Sequence, residues 1–217
     1  PNAFGEYFTP SVVGIGKNQE VFVGSVAKEM LATQPYDTFR EFKRNMGTNF
    51  LYGNGRKKYR AEELSAFVLR RLKEDAEKFL GEEVTEAVIS VPAYFDDNKR
   101  NATKNAGRLA GLKVERLINE PSAVALKHHT AEKGAESFIV FDFGGGTLDV
   151  SLVEAFDNVV EIQAVAGDNY LGGKDFNEII AQDFYEQNQI SEAYLTKNEQ
   201  ENVLKEAEAV KKELTDK

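Results

Sequence analysis

The chain has 217 residues, of which 41% are hydrophobic and 29% are charged, as is typical of a globular protein with a buried core. Its formal net charge of −9 at pH 7 opposes attraction to nucleic acid or to an anionic membrane, so we expect neither as a partner. It has no cysteine, which excludes disulfides and thiol chemistry within it. Without a long apolar run or a signal-peptide pattern, the expected location is the cytoplasm.

The first half of the sequence predicts a mixture of short strands and helices. Two extended runs and two helical patterns are predicted early, at residues 11–15, 20–23, 25–31 and 38–45. A longer amphipathic helix is predicted over residues 62–80, because apolar residues recur there at helical spacing. A strand over residues 87–91 ends at Pro92, and Asp96 or Asp97 is placed to cap the helix that follows.

The second half continues the alternation of strands and helices. A strand over residues 114–118 precedes a helix that begins around Pro121, which suits a first turn because its missing N–H donor has no helical partner there. Three extended runs then predict a sheet of hairpins, at residues 137–141, 148–153 and 159–165. Two more helices are predicted, at residues 175–187 and 197–214. The predicted class is therefore α/β.

The sharpest motif is the octet Asp142-Phe143-Gly144-Gly145-Gly146-Thr147-Leu148-Asp149, which lies between two predicted strands. We call residues 144–147 the glycine loop. Its three glycines allow backbone N–H groups to point together at an anion, which predicts a phosphate site. Asp142 and Asp149 offer oxygens for Mg²⁺ held largely through water, and Thr147 offers a hydroxyl to a phosphate or to a metal-bound water. The alternative is a glycine-rich hairpin with two structural aspartates.

Two charged residues outside the octet are further candidates. Glu120 stands just before Pro121 at a helix start, where it is placed to orient water or a metal ion. The alternative is a capping acid. Lys28 lies on a predicted short helix and could reach a phosphate, although most helix lysines are merely solvated.

Two later segments also carry candidates. Gly172 and Gly173 precede a predicted helix, so their N–H groups are a second candidate anion site, or else form only a tight turn. Glu208 lies three and four residues before Lys211 and Lys212, at the spacing of helix ion pairs.

Five blocks of the sequence occur in the order found in the nucleotide-binding domain of DnaK-type heat-shock chaperones. The blocks are residues 88–95, 102–112, 118–121, 142–149 and 167–173. The chain resembles this family over nearly its whole length, and residues 28–62 resemble most closely its compact HscC branch. The resemblance implies an actin-like ATPase fold of the ribonuclease H-like type, with two lobes.

The resemblance also implies a function. ATP hydrolysis would be coupled to the binding and release of unfolded peptide, with ATP or ADP and Mg²⁺ as cofactors. A J-domain co-chaperone would be a partner, and a nucleotide exchange factor is a second candidate partner. Positioning and electrostatics would supply most of the rate of attack by water on the γ-phosphate.

The resemblance assigns roles to individual residues. Those assigned to catalysis are Lys28, as the catalytic lysine, with Glu120, Asp142, Thr147 and Asp149. Those assigned to nucleotide binding are Gly144, Gly145, Gly146, Thr147, Gly172, Gly173, Glu208, Lys211 and Thr215. Magnesium would be held mostly through water by Glu120, Asp142 and Asp149. Pro92 and Arg100 resemble the proline switch and its arginine partner, which relay the nucleotide state between domains.

The sequence also departs from the family pattern. Lys174 stands where the family usually has an acid, Leu148 replaces a common phenylalanine and Ser122 a common threonine. The family's opening strand, with its own phosphate loop, has no counterpart here, and neither does its closing adenosine loop. We therefore expect a fold truncated at both ends, with an exposed sheet edge in the first lobe and little ATPase activity in the chain alone.

The expected division follows from the same resemblance. The first lobe would span residues 1–133, with a peripheral part to about residue 60 and a core part over 61–133. The second would span residues 134–217, with a core part to residue 171 and the start of a peripheral part from 172. Two alternatives remain open: a sugar or acetate kinase of the same superfold, and a non-catalytic interaction module.

Overall fold

The computed structural model describes residues 1–53, 57–128, 134–156 and 159–215. Within these residues, strands and α-helices alternate along the chain, and the strands form three small sheets. The predicted α/β class is confirmed.

The first sheet is antiparallel and has β1 (Val12–Ile15) at its centre. Its neighbours are β2 (Val21–Val23) and β3 (Thr38–Arg40), and α1 (Ser25–Thr33) packs against it. The helix predicted over residues 38–45 is wrong, because β3 is followed by a 3-10 turn over Phe42–Asn45. Residues 38–40 form a strand and not a helix because they pair with β1, which is distant in sequence.

A parallel pair of strands and two helices form the next layer. They are β4 (Glu86–Val91), β5 (Lys113–Asn119), α2 (Ala61–Leu80) and α3 (Asp97–Leu109). The Asp96 carboxylate caps α3 by accepting a hydrogen bond from the Lys99 N–H group at 2.9 Å, as predicted. Gly107 lets α3 approach β5, because a Cβ there would overlap Val114. In the described part of the chain, β4 pairs with β5 alone, which leaves one edge of the strand unpaired.

The last sheet carries the glycine loop at one of its turns. It is antiparallel and consists of β6 (Glu136–Phe143), β7 (Leu148–Phe156) and β8 (Val159–Asp168), with α4 (Glu120–His128) packed against it. Asp142 and Asp149 lie directly opposite each other where β6 and β7 meet the loop. Two further helices pack on each other, α5 (Gly173–Gln187) and α6 (Lys197–Thr215).

The expected division into two lobes stays a prediction. The boundary after residue 133 follows residues 129–133, which lie outside the described residues, and the boundaries near residues 60 and 171 remain predictions. No helix in the described ranges is long and apolar enough to cross a membrane.

Candidate functional site

Every backbone carbonyl of the glycine loop accepts a hydrogen bond from the protein. The donors are the N–H groups of Gly173 to Gly144 (3.0 Å), Lys174 to Gly145 (3.0 Å) and Gly144 to Thr147 (2.9 Å), and the Arg44 Nε group to Gly146 (3.1 Å). Three of these four donors lie outside the loop. Elements far apart in sequence, the 3-10 turn and the start of α5, therefore hold the loop in one conformation.

The N–H groups of Gly145 and Gly146 contrast with those carbonyls. Neither has a hydrogen-bond acceptor within the described residues. A Cβ at Gly145 would meet no atom within 4 Å, so the loop is open to its surroundings there. Adjacent backbone N–H groups whose carbonyls are engaged elsewhere can form a concave anion site. The arrangement can therefore accept an anion at these two groups.

Gly172 packs directly beneath the loop. A Cβ at this position would lie 2.5 Å from the carbonyl carbon of Gly145, too close for any other residue without movement of the backbone. The Gly172 N–H group also donates to the Asp175 carboxylate at 2.6 Å, which caps α5. The structure thus brings Gly172 and Gly173 together with the glycine loop, and their role in binding an anion stays a prediction.

Asp149 lies at the foot of the loop and is only 8% exposed. One of its carboxylate oxygens, Oδ1, has no hydrogen-bond partner. Burial raises the pKa of Asp149 above its ordinary value, and the charges of Glu120 and Asp142 raise it further, while Thr147 and Lys43 act in the opposite direction. The three predicted acids are therefore close enough to influence one another.

The three acids do not form a metal site coordinated by side chains alone. Among the described residues, no group of three His, Cys, Asp or Glu side chains is arranged to hold a metal ion. The unpartnered Oδ1 of Asp149 nevertheless fits an oxygen-seeking cation or a bound water. Mg²⁺ commonly retains several waters and uses only one or two carboxylates of the protein, so these residues suit it better than a fully protein-coordinated ion.

The cation beside the acids is Lys43, which the sequence analysis missed. Its Nζ lies 3.0 Å from Oε1 of Glu120, at the first residue of α4. Lys43 falls in the segment mistaken for a helix, and the 3-10 turn presents it toward Glu120 and the next residue, Arg44, toward the glycine loop. No local pattern marks Lys43 as part of the site, because its partner Glu120 lies 77 positions away in the sequence.

Lys28, predicted to be the catalytic lysine, contacts a residue of α6. Its Nζ is 2.8 Å from Oε2 of Glu208 on α6, and Lys212 contacts the same carboxylate at 2.8 Å. Burial raises the pKa of Glu208, but the hydrogen bonds and charges of these two lysines outweigh it and lower the pKa to about 2. The structure therefore groups Lys28 with the α6 residues through its contact with Glu208, whereas Glu120 contacts Lys43.

The remaining candidates occupy two further positions. The Lys211 Nζ donates to the Gly173 carbonyl at 2.5 Å, so α6 also reaches the segment beneath the loop. Thr215 is the last residue of α6, and its side chain lies outside the described residues.

Pro92 and Arg100 lie beside the end of β5, because Val91 pairs with Asn119 and Arg100 contacts Asn119. Pro92 is fully buried, and Arg100 donates to the Phe95 carbonyl at 2.8 Å and to Oδ1 of Asn119 at 2.7 Å. Asn119 immediately precedes Glu120. Arg100 thus ties the segment after Pro92 to the strand end that carries Glu120, and its role as a relay remains a prediction.

The fold and the glycine loop are those of an α/β protein with a candidate anion site. A family model described as Hsp70 protein matches residues 1–53 and 51–217 of the chain. The chain therefore belongs to the Hsp70 family. Membership supports a chaperone and heat-shock identity, a role in nucleotide binding and an actin-like ATPase fold, with which the mixed α/β architecture and its small sheets are compatible.

Proposed function

We propose that this chain is part of the nucleotide-binding domain of an ATP-dependent chaperone and binds the phosphates of ATP or ADP at the glycine loop. One observation carries the proposal: every carbonyl of the loop is bonded within the protein, while the N–H groups of Gly145 and Gly146 have no acceptor in the described chain. A phosphate would supply the missing acceptor. Family membership supports the same ligand.

The neighbouring acids would complete the site. Mg²⁺ would be held by Asp149, Asp142 and Glu120, largely through water, and would offset negative charge on the phosphates. Thr147 would hydrogen-bond a phosphate or a bound water. Lys43 holds the Glu120 carboxylate at 3.0 Å, so Glu120 can orient a water without rotating away. We accordingly propose Lys43, rather than Lys28, as the cation that serves the acids.

The adenosine end of the nucleotide would lie toward α6. Glu208, Lys211 and Thr215 are the proposed contacts there, together with Gly172 and Gly173. Lys28 would act by holding Glu208, which it contacts at 2.8 Å. This division places the phosphates against the glycine loop and the base against a helix that α1 supports.

The wider role is also a proposal. In the whole protein, ATP hydrolysis would drive the binding and release of unfolded peptide, with a J-domain co-chaperone, a nucleotide exchange factor and the Pro92–Arg100 relay taking part. The two-lobed arrangement, the HscC branch and a cytoplasmic location belong to the same proposal. Family membership favours this function over a sugar or acetate kinase.

Calorimetric titration with MgADP and MgATP tests the proposal. We expect saturable binding that the substitution Asp142→Ala weakens, because Asp142 lies directly opposite Asp149 beside the glycine loop. Asp183→Ala, a change at an exposed residue of α5, is the matched control and should leave the affinity unchanged. A folded chain that binds neither nucleotide, or that binds both equally well with Asp142→Ala, would refute the proposed site.

A further inference from the structure

Lys174 forms an ion pair that joins the two segments flanking the candidate site. Its Nζ lies 2.6 Å from Oε2 of Glu41, the residue just before the 3-10 turn that carries Lys43 and Arg44. The two side chains are only 24% and 30% exposed. The positive charge that distinguishes this chain from the family pattern is therefore matched by a nearby negative charge.

The backbone positions of Lys174 and Glu41 are both constrained by the surrounding structure. The Lys174 N–H group donates to the Gly145 carbonyl at 3.0 Å, which ties the residue to the glycine loop. Glu41 has a φ of 59°, in the left-handed region that residues other than glycine seldom adopt. Such a conformation persists only where surrounding contacts hold it, and it turns the chain from β3 into the 3-10 turn.

Arg44 makes a second set of contacts across the same junction. Besides the Gly146 carbonyl, its guanidinium lies 3.5 Å from the Asp175 carboxylate, 3.7 Å from the Glu41 carboxylate and 5.6 Å from the centre of the Tyr170 ring. The side chain of Arg44 is 15% exposed, so Arg44 is more enclosed than Lys174, whose side chain is 24% exposed. Glu41 thus contacts both Arg44 and Lys174, one on each side of the junction.

We propose that Glu41 and Lys174 are positioning residues that hold the 3-10 turn against the glycine loop, and thereby set where Lys43 and Arg44 lie. For its consequence on nucleotide binding, this inference rests on the proposed function. An isolated exposed ion pair contributes little, but this one is half-buried and linked through Glu41 to Arg44. Its loss would release one side of the loop without removing any proposed ligand-binding group.

Distance measurement by pulsed electron spin resonance tests the positioning directly. Because the chain has no cysteine, Asn49→Cys and Gln182→Cys introduce two exposed labelling sites, one after the 3-10 turn and one on α5. We expect Lys174→Gln or Glu41→Gln to broaden the distance distribution, and the double variant to be no broader than the single ones. Lys174→Arg should restore the narrow distribution, and the exposed β5 residue Lys113→Gln should leave it unchanged.

Nucleotide affinity supplies the second readout. We expect Lys174→Gln to weaken MgADP binding about two- to fivefold, the size of one partly exposed ion pair, and Lys174→Arg to restore it. If Lys174→Gln leaves the distance distribution as narrow as in the unsubstituted protein, the inference is overturned. Broadening of the distance distribution with no change in the affinity for MgADP would also overturn it. If the protein without these substitutions binds no MgADP, the proposed function fails, and the distance distributions alone decide whether Glu41 and Lys174 are positioning residues.

Discussion

The Nζ of Lys43 lies 3.0 Å from Oε1 of Glu120, and so joins the 3-10 turn after β3 to the first residue of α4. The charge of Glu120 raises the pKa of Asp149 and the charge of Lys43 lowers it, so the position of this cation matters for Asp149. The two lysines also have different proposed roles, because Lys43 contacts Glu120 whereas Lys28 contacts Glu208.

Removing Lys43 should change the titration of Asp149. The cation lowers the pKa of Asp149 against the opposing effect of burial, so Lys43→Ala should raise that pKa further. Lys28→Ala should leave it unchanged, because Lys28 is paired on α6. Carbon-13 NMR of the aspartate carboxyl groups measures both variants. An equal effect of the two substitutions would contradict the assignment of Lys43 to the acids.

Asp149→Asn should stabilise the protein in the absence of nucleotide. The pKa of Asp149 is raised above its ordinary value of 3.8, so its charge costs stability, and this cost grows as the pH rises through the folded-state pKa. We expect a gain of about 1 kcal/mol or less near neutral pH, shrinking as the pH falls toward the pKa. Urea unfolding at several pH values, with Asp183→Asn as the control, measures it. A loss of stability at neutral pH would contradict the account.

The Lys28–Glu208 pair should make stability depend on acid pH. The pKa of Glu208 is lowered from 4.5 to about 2, so its contribution is present above the unfolded-state value and is lost as the pH falls toward 2. Lys28→Ala should cost about 1 kcal/mol or less near neutral pH, since Lys28 is partly exposed, and almost nothing near pH 2. Unfolding curves for this variant and for the exposed control Lys104→Ala supply the comparison. A cost independent of pH would mean that Lys28 acts through packing and not through charge.

Gly172 and Gly145 should respond differently to the same substitution. Gly172→Ala places a Cβ about 2.5 Å from the Gly145 backbone, so it should displace the glycine loop and destabilise the protein by about 1–3 kcal/mol. Gly145→Ala meets no atom within 4 Å and should leave stability nearly unchanged. Thermal unfolding of the two variants tests this contrast. Equal losses would show that Gly172 does not support the loop.

The sequence predicted well where local patterns decide the structure. Helical spacing indicated α2 to within one residue at its start, and the two apolar runs beside the octet predicted β6 and β7 with the loop between them. It failed over residues 38–45, where pairing of β3 with β1 overrides the local helical pattern. A residue that reaches its partner only through such pairing, as Lys43 reaches Glu120 across 77 positions, has no local pattern to reveal it.

Other contacts between distant segments were beyond local prediction for a similar reason. Arg44 meets the Gly146 carbonyl across 102 positions of sequence, and Lys28 meets Glu208 across 180. Which cation lies beside which acid depends on how the helices and sheets pack. The resemblance to a family supplied candidates such as Lys28 and Glu208, while Lys43, Arg44 and the contacts between distant residues came from the structure.

The most direct test of the central claim is the amide NMR signals of Gly145 and Gly146 during titration with MgADP. If these N–H groups bind phosphate, both signals should move strongly and saturably, toward the positions typical of hydrogen-bonded amides, and Gly81 at the end of α2 should not move. Saturable binding seen elsewhere in the protein, with Gly145 and Gly146 unmoved, would contradict the claim that the glycine loop holds the phosphates.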